Sequence, residues 1–111
     1  MDSIIKKIIE FRDERDWKQF HNPKDLAISL TLEASELLEN FQWKDSSEAI
    51  KQNMEQIKDE LADVLIYSLM IAHDLEIDIE SAILSKIEKN AKKYPIDRFK
   101  GTSKKYSEER E

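Results

Sequence analysis

The run LADVLIYSLMIA, residues 61–72, is the most apolar stretch of the chain and decides the fold. Apolar residues fall on nearly every side of the helix that this run predicts, which is typical of a helix buried at the centre of a bundle. The run is too short to span a bilayer and contains Asp63, so no membrane-spanning segment is expected. The single Gly and two Pro supply few of the tight turns that a many-stranded sheet needs. The sequence therefore predicts an all-α helical bundle.

Helical periodicity outlines about four helices, at roughly residues 3–15, 23–40, 48–75 and 79–93. Ser3, Asn22 and Asp78 are suited to cap three of them, because a short polar side chain can accept a hydrogen bond from the first turn. Helix four is expected to turn Ile83 and Ile87 inward. Since Pro95 disfavours a helical residue before it, the helix should end there. Residues 1–95 are predicted to form one domain, and residues 96–111 a polar C-terminal tail.

Length, charge and composition narrow the partners, the metal sites and the location that can be expected for the chain. A chain of 111 residues has a modest core, so a homo-oligomer is a reasonable way to bury more apolar surface. The net charge of −6 argues against binding duplex nucleic acid. There is no Cys, which excludes disulfides and thiolate metal sites. The start of the chain lacks a basic signal region, and no membrane association is predicted, so the expected location is the cytoplasm.

Two pairs of acidic residues are the main candidates for a chemical function. Glu33 and Glu36 lie on helix two, and Glu60 and Asp63 on helix three, each pair spaced to leave one face of its helix. Glu33 interrupts the apolar stripe of helix two, and Asp63 lies inside the most apolar run. Ionised carboxylates in such places need a compensating partner. They could be ordinary surface acids or be paired with Lys or Arg, but the only nearby cation, Lys58, faces away from Asp63.

If the four acids bind a metal, their chemistry narrows its identity. Carboxylates without Cys suit hard cations such as Mg²⁺, with Mn²⁺ as a substitute. Zinc would usually recruit His or Cys, and neither His adjoins the acids. The chain from Glu36 to the connector is shorter than that from the connector to Glu60. The two pairs therefore face each other only if residues 44–53 contain a loop or an offset turn, so we expect helix three to be irregular at its start.

The sequence segments around these acids are more specific to one protein family than the acids themselves. The relevant segments are Arg15-Asp16-Trp17, Phe20-His21-Asn22-Pro23, Phe41-Gln42-Trp43-Lys44, Asp63-Val64-Leu65-Ile66-Tyr67, Lys86-Ile87-Glu88-Lys89-Asn90 and Lys93-Tyr94-Pro95. From about residue 11 to residue 106 the chain resembles the MazG-like all-α nucleoside triphosphate pyrophosphatase superfamily, in its dCTP pyrophosphatase branch. The resemblance implies a MazG-like fold that assembles as a dimer or a dimer of dimers.

The resemblance also implies an activity. It is the Mg²⁺-dependent hydrolysis of a deoxynucleoside triphosphate, dCTP-like or modified, to the monophosphate and pyrophosphate, as nucleotide-pool house-cleaning. The family's metal ligands match Glu33, Glu36, Glu60 and Asp63, and we assign Glu36 as the general base. The family's substrate contacts fall on Trp17, Trp43, Tyr67, Lys86, Asn90 and Tyr94. His21 is a further candidate, either for a phosphate contact or for ordering the turn before helix two.

Two departures from the family pattern affect what can be carried over. Leu32 precedes Glu33 where many members have a second acid, which leaves the number of metal ions open. Ile8 stands where the animal members are expected to have a His near the base, which leaves cytosine specificity open. The rival interpretation from another class is a non-catalytic helical module, for protein interaction or for nucleotide binding alone, with the acids as a docking face.

Overall fold

A computed structural model describes residues 1–103, and within them all regular secondary structure is helical, with no strand. The α-helices are α1 (Asp2–Glu14), α2 (Pro23–Glu39), α3 (Ser46–Asp74), α4 (Ile79–Lys93) and α5 (Ile96–Phe99), and a short 3-10 helix, Lys18–Phe20, joins α1 to α2. The prediction of an all-α fold is confirmed. The fifth α-helix is a single turn at the start of the predicted tail. The chain divides into two compact units, Met1–Ile77 and Asp78–Glu111.

Side-chain caps start three of the helices. Asn22 Oδ1 accepts a hydrogen bond from the backbone N–H of Asp25 at 2.9 Å, and Pro23 follows it at the first helical position. Asp45 caps α3 and Asp78 caps α4 in the same way. The predicted cap at Ser3 is wrong. The Ile5 N–H donates to the carbonyl of residue 1 at 3.0 Å, so α1 begins earlier and Ser3 lies within its first turn.

In the first unit, α2 packs along α3, and a break in α3 sets their register. Asn53 has non-helical backbone angles (φ −121°, ψ 22°), and its Nδ2 donates to the Asn40 carbonyl at 2.8 Å. The expected irregularity at the start of helix three is therefore confirmed. Glu33 lies about two helical turns before Asn40, and Glu60 about two turns after Asn53. Counted from this link, the two glutamates lie at equal distances along their helices, so they can face each other.

The core of the chain is smaller than the apolar run predicts. Its buried apolar side chains within residues 1–103 are Leu26, Ala49, Leu69, Met70, Ala72 and Phe99. The prediction that the whole run 61–72 is buried is wrong for one chain, since Leu61 and Leu65 are 48% and 53% exposed. Within the run, full burial is confined to its last turn, at Leu69, Met70 and Ala72.

The second unit contains α4 and α5, joined by a short turn at Pro95. The Tyr94 ring meets the Phe99 ring edge-on, with centroids 4.9 Å apart. The prediction that Ile83 and Ile87 point inward is wrong for one chain, because these side chains are 49% and 57% exposed. The helix has the expected apolar stripe, and among the described residues this stripe remains about half exposed.

None of the helices within residues 1–103 combines the length and the apolar character needed to cross a bilayer. The cytoplasmic location and the domain boundary at residue 95 stay predictions.

Candidate metal centre and adjoining pocket

Three of the four predicted ligands converge. One carboxylate oxygen each from Glu33, Glu36 and Glu60 lies within 4.8 Å of the other two. Glu33 and Glu36 come from one face of α2, and Glu60 comes from α3 through the register described above. Three acidic oxygens at this spacing can ligate one divalent cation together, and they repel one another without it.

The buried oxygen atoms and raised pKa values of this cluster show that its ionised form is unfavourable without a bound cation. The Oε2 atoms of Glu33 and Glu60 are buried and accept no hydrogen bond from any residue within 1–103. Burial, together with the neighbouring Glu36 and Asp63, raises the pKa of Glu33 to about 7. Burial and Glu36 likewise raise the pKa of Glu60. Buried acceptors without donors, in a cluster of like charges, fit a hard cation as the missing partner.

Asp63 lies one helical turn after Glu60 and outside the group of three. It lines a pocket of about 400 Å³, whose volume is in the range of small-ligand sites. Three of the predicted substrate residues line the same pocket, namely Trp17, His21 and Tyr67. An acidic centre therefore adjoins an aromatic and apolar cavity, as a ligand with a charged end and a flat ring requires.

The Tyr67 side chain connects the pocket to the acids. Its pKa is raised by burial and then by the negative charges of Glu33 and Asp63, so its hydroxyl stays protonated. Ser29 on α2 acts in the opposite direction and lowers this pKa. The His21 ring meets the Tyr67 ring edge-on with centroids 6.4 Å apart, and the His21 Nδ1 is buried without a partner within residues 1–103.

Four predicted substrate residues lie outside this pocket. Trp43 is 92% exposed in the turn between α2 and α3, with a left-handed φ of 62°. Lys86 and Asn90 lie one turn apart on α4, and the N–H of Tyr94 donates to the Asn90 carbonyl at 2.8 Å. These three residues belong to the second unit, and their roles stay predictions.

Sequence reasoning did not assign several pocket residues to the site: Lys7, Ile8, Phe11, Ile66 and Met70. Their apolar members have the periodicity of core residues, and periodicity cannot distinguish a core from a cavity wall. The departure at Ile8 was the one signal that pointed to this wall. Nothing in the sequence pattern pointed to Ser29.

Three comparisons with known proteins agree with this picture. A model of the MazG-like family matches residues 28–108. The chain is 38% identical to dCTP pyrophosphatase 1 of Homo sapiens and 36% identical to that of Rattus norvegicus, in each case across 97% of this chain. It spans 66% of the length of these relatives. The predicted family resemblance is confirmed.

A solved structure is similar as well. A pyrophosphatase from Archaeoglobus fulgidus superposes with a TM-score of 0.81 at 42% identity. The match covers 86% of this chain and 92% of the archaeal one.

Proposed function

We propose that this chain, which belongs to the MazG-like family, is a Mg²⁺-dependent enzyme that hydrolyses a deoxynucleoside triphosphate to its monophosphate and pyrophosphate. One observation carries the proposal: three convergent glutamates, two of which have a buried oxygen without a hydrogen-bond donor, adjoin a pocket lined by aromatic side chains. The similarity to proteins named as pyrophosphatases supports the same reaction. Removal of dCTP-like or modified nucleotides from the cytoplasmic pool is the role that we propose with it.

Glu33, Glu36, Glu60 and Asp63 would hold the metal. The first three already have the spacing, and Asp63 extends the acidic group toward the pocket. When bound, Mg²⁺ would neutralise the triphosphate, polarise its phosphoryl oxygens and lower the pKa of water. Mn²⁺ offers similar chemistry to oxygen ligands and should substitute.

In the proposed reaction, water attacks the α-phosphorus and the bond to the α,β-bridging oxygen breaks. Pyrophosphate leaves with the electron pair of that bond, and a glutamate accepts the proton of the water. We assign this proton to Glu36, because its side chain is exposed to solvent whereas Glu33 and Glu60 are half-buried. The positioning of water and phosphate then supplies most of the catalysis.

The pocket would receive the nucleobase. Trp17 and Tyr67 offer ring faces and edges for stacking, and His21 a polar contact. The family resemblance adds Trp43 and the α4 row, with Lys86 for phosphate, Asn90 for the sugar or base edge and Tyr94 beside them. We carry these four as proposals.

A homo-oligomer, a dimer or a dimer of dimers, is part of the proposal. Half-exposed apolar side chains on two helices support it, since isolated chains rarely leave such faces in water: Leu61 and Leu65 on α3, and Ile83 and Ile87 on α4. Sedimentation velocity at micromolar concentration should give a mass of two or four chains. A monomer at all concentrations would exclude this part of the proposal.

Pyrophosphate release from each of the four dNTPs, with and without Mg²⁺, tests the function directly. We expect pyrophosphate, and no orthophosphate, from at least one dNTP and only with the metal. Glu33→Gln should be inactive, whereas Glu39→Gln, an exposed acid on the same helix, should keep wild-type activity. Nucleotide binding without any release would favour the binding-only module instead.

A further inference from the structure

The most buried charge of the first unit lies away from the acids. Arg12 on α1 is 1% exposed and is the only buried polar or charged side chain within residues 1–103. Its Nη1 donates to both carboxylate oxygens of Asp74, at 3.0 and 2.9 Å, and the Asp74 side chain is only 14% exposed. Since a buried guanidinium is stable only with its counter-charge in place, the pair constrains where α1 lies against the end of α3.

The ion pair lies one helical turn from residues that line the pocket. Ile8 and Arg12 lie one turn apart on α1, and Met70 and Asp74 lie one turn apart on α3. Ile8 and Met70 both line the pocket, one from each helix. The ion pair therefore joins the same two helix faces one turn beyond the cavity, and it does not enter the cavity.

Arg12 also fixes a third wall of the pocket through its backbone. Its carbonyl accepts hydrogen bonds from the N–H groups of Arg15, at 3.2 Å, and Trp17, at 3.1 Å. The Trp17 ring lies edge-on to Phe11, with centroids 5.7 Å apart. A shift of α1 would therefore carry Trp17 with it, and both walls would move relative to α3.

Apolar packing holds α1 only in part. Apart from Arg12, no residue of α1 is fully buried: Ile5, Ile8 and Ile9 are of intermediate exposure, and Ile4 and Phe11 are 51% and 47% exposed. Without a deep hydrophobic seam, the orientation of α1 depends on the directional ion pair.

We propose that Arg12 and Asp74 are positioning residues that set the width of the pocket and with it the affinity for the nucleobase. They do so by holding the α1 wall against the α3 wall, without touching the substrate. The inference rests on the proposed function. The three glutamates lie on α2 and α3, so metal binding and the chemical step should be independent of the pair.

The test is Asp74→Asn, which keeps the shape of the side chain but removes its charge. With the dNTP that the wild type hydrolyses best, KM should rise about tenfold or more, a change within the range for loss of one charge-assisted hydrogen bond. The kcat should stay within about twofold, and the rise in Tm on adding Mg²⁺ should be unchanged. Arg12→Lys, which keeps the charge but not the shape, should give a smaller rise in KM. Glu55→Gln, which breaks an exposed ion pair with Lys58 on α3, is the matched control and should change nothing.

All assays are run well below the Tm of each variant, so that loss of folding does not imitate loss of affinity. If Asp74→Asn is too unstable, Arg12→Lys alone decides the question by its ratio of KM to kcat. A wild-type KM in the folded variants would show that the pair is only a structural staple and would overturn the inference. A fall in kcat without a change in KM would overturn it as well. If the wild type itself neither binds nor hydrolyses any dNTP, the proposed function fails and takes this inference with it. If the wild type is active and the variants have a wild-type KM, only this inference fails and the proposed function stands.

Discussion

Replacing Glu33 with Gln should stabilise the metal-free protein while abolishing its activity. The pKa of Glu33 rises from 4.5 to about 7 on folding, because the carboxyl is buried beside Glu36. At about 1.4 kcal/mol per pH unit, this is a penalty of roughly 3 kcal/mol for the ionised form. Glu33 is only half-buried, and its pKa depends on the ionisation of the neighbouring acids. Solvent screening therefore reduces the net effect on the free energy of unfolding to about 1–2 kcal/mol.

The sign of the pH dependence follows from this shift. A carboxyl with a raised pKa in the folded state binds its proton more tightly there than in the unfolded chain. On account of this group, the metal-free wild type should lose no stability below about pH 4.5, lose stability as the pH rises to about 7, and change little beyond that. Glu33→Gln carries no titrating proton there and should lack most of this loss.

Thermal unfolding followed by circular dichroism, at pH 5 and pH 8 with a chelator, measures the effect. At pH 8 the Glu33→Gln variant should melt about 4–10 °C above the wild type, and at pH 5 the two should nearly coincide. Glu39→Gln, on the exposed side of the same helix, should match the wild type at both values. If Glu33→Gln melts with or below the wild type at pH 8, the cluster is not strained and the reasoning is wrong.

Three further outcomes are expected. Asp63→Asn should abolish pyrophosphate release while the far-ultraviolet circular dichroism stays unchanged; near-normal turnover would remove Asp63 from the site. Millimolar Mg²⁺ should raise the Tm of the wild type, since a ligand that binds only the folded form stabilises it, and Glu60→Gln should respond far less; equal responses in the two would contradict a preformed site. Lys86→Ala should weaken triphosphate binding about tenfold in a salt-sensitive way, and Asn90→Ala should alter discrimination among the four dNTPs more than Mg²⁺ affinity; wild-type kinetics in both would confine the site to the acidic helices.

Local rules predicted much of the fold. The caps at Asn22 and Asp78 and the break near Asn53 follow from side-chain chemistry and residue counting, and the structure has all three. The convergence of Glu33 with Glu60 follows from the same counting.

Burial and long-range pairing were not predictable in this way. Periodicity identifies an apolar helix face but not what covers it, so Leu65 and Ile87 were expected inside and are exposed in one chain. The pairing of Arg12 with Asp74 joins residues 62 positions apart, and no local pattern encodes it. The exposure of Trp43 is likewise a property of the turn that the chain makes there.

The link between Asn53 and Asn40 has a consequence for how the chain tolerates changes in length. This hydrogen bond joins the two ends of the segment 41–52. One residue added or lost within that segment should therefore leave the acids facing each other. One residue inserted between 54 and 59 would instead rotate Glu60 by about 100° around its helix and point it away from Glu33. Natural and engineered variation in length should therefore accumulate on one side of Asn53 and be excluded from the other.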